Sequence, residues 1–316
     1  MGRLIVTVTL NPAVDEEYMV PEFHLGGWFR ASSVRQLPGG KGINVSVILK
    51  QLNYDSVAMG FLAGFNGEYI RDAMRRMRIS TNFVHVKGET RTNVYIVDPV
   101  GHMETGIAAM GPYISEEALS RFTINYDRML KRASLVAIGG SLPPGVSQDY
   151  YRTLVEKAKA VGVPVFLDAA GPPLSAALEL VPTAVRIDHR FISVTLGYPI
   201  DSLDKLVERI SQIHAQGVEW AITACATHDG LGNIFYTPNG IYVAETDVDQ
   251  AVSMIGAGDA LMAGLIVAYK EGMDTEMTVR FAMACLWEEI AHPGHGIGGM
   301  DKVKSLVSRV RLEKLD

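Results

Sequence analysis

Cysteine is scarce: Cys225 and Cys285 are the only two in 316 residues. They lie far apart with no C-x-x-C spacing. They therefore supply neither a disulfide framework nor a zinc site, and a reducing cytoplasm is the expected compartment. Both read as small buried apolar residues. Basic residues do not predominate either. Lys and Arg number 29 against 35 Asp and Glu, a net charge of -6, which argues against a general nucleic-acid binder. A small anion is still open to a local cluster of cations. No apolar run is long enough to span a bilayer: Leu4 to Leu10 is short, has no small-residue cleavage site after it, and is soon followed by Asp15 to Glu17. No membrane role is expected. There is no G-x-x-x-x-G-K-[ST] segment, so a P-loop is excluded, and no repeat period or low-complexity tract occurs.

Hydrophobic residues make up 48 % of the chain, enough for one large α/β core with a minor appendage. Leu4 to Leu10 is rich in β-branched residues and ends at the turn signal Asn11-Pro12, so it reads as a buried strand. Ile43 to Leu52 reads as a helix and Ser56 to Leu62 as a strand. Asn93 to Val97 and Met103 to Ala108 flank Asp98-Pro99-Val100-Gly101, a hairpin signal. From there helix and strand alternate. A helix over 115–131 precedes the apolar run Leu135 to Ile138. A second helix starts at Ser147 as N-cap and ends at Gly162. Further runs follow at Val163 to Leu167 and Val218 to Thr223. This alternation predicts a mostly parallel sheet covered by helices on both faces. Ile234 to Tyr236 and Ile241 to Ala244 flank Pro238-Asn239-Gly240 as a hairpin. Helices are expected over 257–271, 275–290 and 301–312.

The most informative stretch is Ile255-Gly256-Ala257-Gly258-Asp259-Ala260, small residues running straight into a helix. Gly256, Ala257 and Gly258 let the backbone approach a ligand, and their N–H groups point outward at a helix N-terminus, a ready anion hole. Asp259 in the first turn is placed to accept a proton from an attacking hydroxyl while the amides stabilise a transferred phosphoryl group. Taken alone, the same residues also suit an ordinary Gly-containing turn.

The Gly256–Asp259 turn resembles the second signature of the ribokinase-like (PfkB) carbohydrate kinases. The first signature is matched by Pro38-Gly39-Gly40-Lys41-Gly42-Ile43-Asn44-Val45. The segments Thr9-Leu10-Asn11-Pro12-Ala13-Val14-Asp15, Gly88-Glu89-Thr90-Arg91-Thr92-Asn93 and Gly140-Ser141-Leu142-Pro143-Pro144-Gly145 are similar to the phosphosugar branch, with its 1-phosphofructokinases and tagatose-6-phosphate kinases. The five segments follow the family's order over nearly the whole chain. The resemblance implies a three-layer αβα core (1–10, 38–90 and 109–316) with a mostly parallel sheet, and a small β-sheet lid (11–37 and 91–108). The lid would close over the sugar and could pair two copies into a homodimer. It implies Asp259 as the catalytic base, Gly256, Ala257 and Gly258 as the anion hole, and Asp15, Gly39, Gly40 and Asn44 as sugar contacts. Lys41, Arg91 and Ser141 would hold a phosphate already on the substrate, since two cations and a hydroxyl suit a phosphate better than a neutral ligand. ATP and Mg²⁺ are the implied donor and cofactor, with no protein metal ligand assigned.

On the nucleotide side the sequence departs from the pattern. Where relatives carry Lys-Pro-Asn-x-x-Glu, it reads Arg186-Ile187-Asp188-His189-Arg190-Phe191. Asp188 can stand for the Asn, but Phe191 replaces a Glu that organises magnesium and phosphate. Thr223-Ala224-Cys225-Ala226-Thr227-His228-Asp229-Gly230 replaces Thr-Leu-Gly-x-x-Gly, and Thr105 to Pro112 lacks an acidic residue. Asp188 and Thr223 are the nucleotide contacts that remain. A kinase of a ketohexose phosphate is the leading reading. A kinase of an unphosphorylated sugar or nucleoside, or a sugar-phosphate-binding sensor that has lost turnover, are the alternatives. His292-Pro293-Gly294-His295 reads as a plain loop, Arg71, Arg75, Arg76 and Arg78 as a solvated helical face, and Met254, Met262 and Met283 as core filler.

Overall fold

The computed structural model describes residues 4–188, 203–227, 230–246, 251–292 and 294–315. Phe191, His228 and Asp229, part of the departing donor-side segments, lie outside the described residues, as does Pro293. The chain opens with β1 (Leu4–Thr9), whose alternation sends Val6 and Val8 to one face and Ile5 to the other. A strand buried on both faces belongs in the middle of a sheet, and β1 pairs in parallel with β4 (Ser56–Leu62) and β8 (Ala133–Gly139). Outward from these run β5 (Ser80–His85) on one side and β9 (Val165–Asp168), β10 (Ala184–Ile187) and β11 (Trp220–Thr227) on the other, all parallel. Three antiparallel strands complete the ten: β12 (Gly230–Thr237), β13 (Gly240–Glu245) and β14 (Arg311–Leu315).

Two apolar layers cover this sheet. Helices α3 (Glu116–Leu130), α4 (Tyr150–Ala160), α5 (Pro172–Leu178) and α6 (Leu203–Ala215) pack one face. Helices α1 (Lys41–Gln51), α7 (Ala257–Glu271), α8 (Thr275–Ile290) and α9 (Met300–Val307) pack the other. A further helix, α2 (Gly64–Arg76), joins α1 over a third cluster. This is the three-layer αβα core. Gly264 lets α7 and α8 touch, because a Cβ there would press on the Ala282 Cα and Cys285 Sγ, 2.8 and 2.9 Å away.

A second, four-stranded sheet stands apart, in the order β3 (Ser33–Gly39), β2 (Ala13–Met19), β6 (Arg91–Asp98), β7 (Met103–Ala108). β2 runs parallel to β6 and the other two pairings are antiparallel. The Asp98 turn forms as its residues suggest, with the Asp98 carboxylate accepting the Val100 N–H at 2.9 Å.

Three local expectations need correction. The final helix stops at Val307, and residues 311–315 become β14, because the free edge of β13 offers backbone partners that a continued helix would leave bare. Ser147 is not the cap of α4: the helix begins at Tyr150 after Asp149, and the Ser147 hydroxyl instead accepts the Asp149 N–H within the preceding turn. Met262 and Met283 are core, but Met254 is 41 % exposed.

Candidate active site

Two helix N-termini converge on the same buried point. α1 begins after Gly40, whose φ of 111° only glycine adopts readily, and the Thr9 hydroxyl at the end of β1 accepts the Ile43 N–H at 3.0 Å. α7 begins after Gly256, in the left-handed region at φ 82°. Between them the Asn44 side chain donates to Asp259 Oδ2 at 2.7 Å. Asp259 is buried, and its carboxyl is pushed up to about 6. Burial is the main cause, with the Asp168 charge adding to it, while Lys41, the Asn44 hydrogen bond and Arg186 act the other way. At the same terminus the Ala257 N–H reaches the Met254 carbonyl at 3.3 Å and the Asp259 N–H reaches that of Gly256 at 2.9 Å. Among the described residues, no acceptor is paired with the Gly256 or Gly258 N–H.

Asp168, at the carboxyl end of β9, is bracketed by two cations. Lys41 Nζ lies 2.9 Å from one carboxylate oxygen and Arg186 Nη1 lies 3.0 Å from the other. Burial raises the Asp168 pKa, but the Lys41 and Arg186 charges together outweigh it and hold the carboxyl below its usual range. Arg186 is buried with Asp168, Asp188 and Asp259 around it. Its guanidinium lies over the α7 turn, where a Cβ at Gly258 would overlap it. Lys41 passes across Gly139 and remains one-third exposed at the rim.

The four-stranded sheet supplies the opposite wall. The parallel register sets Asp15 opposite Asn93 and Ala13 opposite Arg91, so Asp15, Arg91 and Asn93 share one face. Asn93 Nδ2 donates to Asp15 Oδ1 at 2.8 Å. Gly39 is pressed against the Asp15 carboxylate, leaving no room for a Cβ. Arg91 donates to the backbone carbonyls of Ala109 and Asn11, each at 3.0 Å, while its buried Nε has no partner among the described residues. The Asn11 side chain in turn donates to the Ser141 hydroxyl at 3.1 Å, which links Arg91 to exposed Ser141. This wall also meets the core: the Met254 N–H, two residues before Gly256, donates to the Glu104 carboxylate at 3.0 Å.

Contacts thus connect Asp259, Asn44, Lys41, Asp15, Gly39, Arg91, Ser141 and the Gly256–Gly258 turn into one cluster near the carboxyl ends of β1, β8 and β9, with Gly40 at the start of α1 beside it. Asp188 lies close enough to raise the Arg186 pKa. Thr223 is fully buried in β11, and its hydroxyl donates to the Ile187 carbonyl at 2.8 Å.

Sequence reasoning passed over three members of this cluster. Asp168 carried a signal, a carboxylate ending an apolar parallel strand. Arg186 was weighed only as a departure from a pattern. His295 was assigned to a plain loop, yet its side chain is 4 % exposed and lies between Asp15 and Glu289.

Among the described residues no three His, Cys, Asp or Glu side chains converge to hold a metal ion. Chemically, these residues suit accepting a proton at Asp259 and attracting anionic groups to Lys41, Arg186 and the α7 terminus.

Residues 9–295 match the model of the pfkB family carbohydrate kinases. The chain is 35 % identical over 280 residues to a 1-phosphofructokinase of Bacillus subtilis, covering 89 % of this chain and 90 % of that one. A possible 1-phosphofructokinase from Thermotoga maritima superposes with a TM-score of 0.91 at 28 % identity, covering 99 % of this chain and all of the other. Ribokinase of Arabidopsis thaliana, crystallised with ribose and ATP, shares the fold at a TM-score of 0.75 and 18 % identity, over 97 % of this chain and 99 % of that one.

Proposed function

This chain belongs to the pfkB family of carbohydrate kinases, and we propose that it transfers the γ-phosphoryl group of ATP to a hydroxyl of a ketohexose phosphate, fructose 1-phosphate first among them. The observation that carries this reading is the buried Asp259 carboxyl at the mouth of α7, held by Asn44 beside two cations. A carboxyl pushed up to about 6 is a stronger base than a free one and is still ionised at neutral pH.

In this account Asp15 and Asn44 accept and donate to sugar hydroxyls, and Gly39 and Gly40 let the ring lie on backbone. Lys41, Arg91 and Ser141 take the phosphate already present. The acceptor hydroxyl gives its proton to Asp259 as its oxygen attacks the γ-phosphorus, and the bond from that phosphorus to the β–γ bridging oxygen breaks to release ADP. The open amides of the α7 turn and the Arg186 guanidinium stabilise the charge on the passing phosphoryl group. The four-stranded sheet acts as a lid that excludes water, with Glu104 fastening it to Met254. Magnesium, when bound with ATP, would offset the charge of its phosphates.

The lid also suggests a homodimer. Its edge strand β7 is exposed along its length, and Val34, Met103 and Ile107 are each more than half exposed.

The test is ADP formation with fructose 1-phosphate, fructose 6-phosphate, tagatose 6-phosphate and free fructose in parallel. Turnover with one of the phosphates and far lower kcat/KM on fructose is the expected outcome. Equal kcat/KM on fructose would overturn the phosphate pocket. Tight sugar-phosphate binding with no turnover on any of them would make the protein a sensor.

A further inference from the structure

The loop after α8 carries a histidine that the reaction above does not use. His295 is buried between the four-stranded sheet and helix α8. Its Nε2 lies 3.5 Å from Asp15 Oδ2 and its Nδ1 lies 3.4 Å from Glu289 Oε1. Both carboxylates are buried, the Glu289 side chain completely, and Glu289 Oε2 accepts the Gly296 N–H at 2.9 Å. The same pair abuts the α7 turn: a Cβ on Gly256 would overlap Glu289 Oε1 and stand 2.7 Å from His295 Nδ1. One ring therefore touches the lid carboxylate on one side and the support of the anion-hole turn on the other.

A neutral imidazole can donate to only one of two carboxylates, whereas an imidazolium donates to both. Two buried carboxylates facing one ring favour the charged form. The charged groups around the ring are Asp15 and Glu17 from β2 and Glu289 from α8, with Arg35 of β3 beside Gly294. Burial alone would lower the ring's pKa, but Asp15 and Glu289 reverse this and raise it to about 10.

We propose that His295 is a positioning residue, a buried imidazolium that holds Asp15 of the lid in register with the Gly256 turn and thereby sets affinity for the sugar. Asn93 fixes one oxygen of Asp15 from within the lid, and His295 fixes the other from the core. Without the ring, Asp15 keeps its strand but loses its tie to the helix that carries Asp259. The proposal rests on reading Asp15 as a sugar contact.

The experiment compares His295→Gln, Asp15→Asn and the double variant in KM for fructose 1-phosphate, KM for ATP, kcat and melting temperature. Losing the buried His295–Asp15 charge pair should raise the sugar KM by roughly ten-fold or more in His295→Gln. The ATP KM and kcat should stay nearly unchanged. The double variant should be no worse than Asp15→Asn, because the two residues act as one unit. If Asp15→Asn leaves the sugar KM unchanged, the reading of Asp15 itself fails. If Asp15→Asn raises it and His295→Gln does not, or if the two effects multiply, the positioning role alone is refuted. Should the variants not fold, NMR of the wild-type imidazole at about pH 8 decides: a protonated ring is expected, and a neutral ring contradicts the proposal.

Discussion

Asn44 and Asp259 lie 215 positions apart in the chain and meet side chain to side chain at 2.7 Å. The contact joins the first turns of α1 and α7, so the two glycine-rich signatures of the sequence form one site. Because Asn44 donates to the carboxylate, it favours the ionised form of Asp259. Replacing Asn44 with Ala should therefore move the acid limb of kcat/KM to higher pH and lower the plateau, by about ten-fold. A pH–rate profile of the variant checks both.

The wild-type profile follows from the same carboxyl. Asp259 must be ionised to accept a proton, so activity should fall as pH drops through about 6. Stability should run the other way. The folded-state pKa lies above the unfolded one, so the favourable contribution is complete below the ordinary value of 3.8 and is lost as pH rises through about 6. Asp259→Asn removes a buried charge without removing the acceptor for Asn44. It should raise stability at neutral pH by ~2 kcal/mol, read as an increased melting temperature.

Lys41 stands at the rim, paired with Asp168. Lys41→Met should raise KM for a sugar phosphate by roughly ten- to a hundred-fold while hardly changing binding of free fructose. Isothermal titration with both ligands measures the ratio. A matching loss for fructose would mean that Lys41 serves the fold through Asp168 and not the phosphate.

The homodimer through the lid can be tested where the apolar residues are exposed. Ile107→Lys, on the edge strand β7, should shift the protein from dimer to monomer in sedimentation without changing its circular dichroism. An unchanged mass would place any dimer contact elsewhere.

Much of this architecture could be read from the chain itself. The strand Ser56–Leu62 and the helices Ala257–Glu271 and Thr275–Ile290 have the limits that periodicity and Gly punctuation indicated. Asp259 stood out because its turn resembles a family signature that recurs with four other matching segments; alone, the same residues also suit an ordinary helix start. What stayed hidden depends on partners distant in sequence. β14 forms only because β13 leaves an edge. Asp168 shows in the sequence only as a carboxylate ending an apolar strand, and its pairing with Arg186 appears only when adjacent parallel strands bring them to 3.0 Å. His295 lies in a Gly- and Pro-rich segment that reads as flexible, and only the fold buries it between two carboxylates from separate elements.

The most direct measurement is a single-turnover rate of ADP formation from saturating ATP and fructose 1-phosphate, with wild-type protein and Asp259→Asn, after calorimetry has shown that both bind the sugar phosphate. The account predicts a rate lower by about three orders of magnitude or more in the variant at nearly equal affinity. A variant that turns over within a few-fold of wild type would show that the base lies elsewhere.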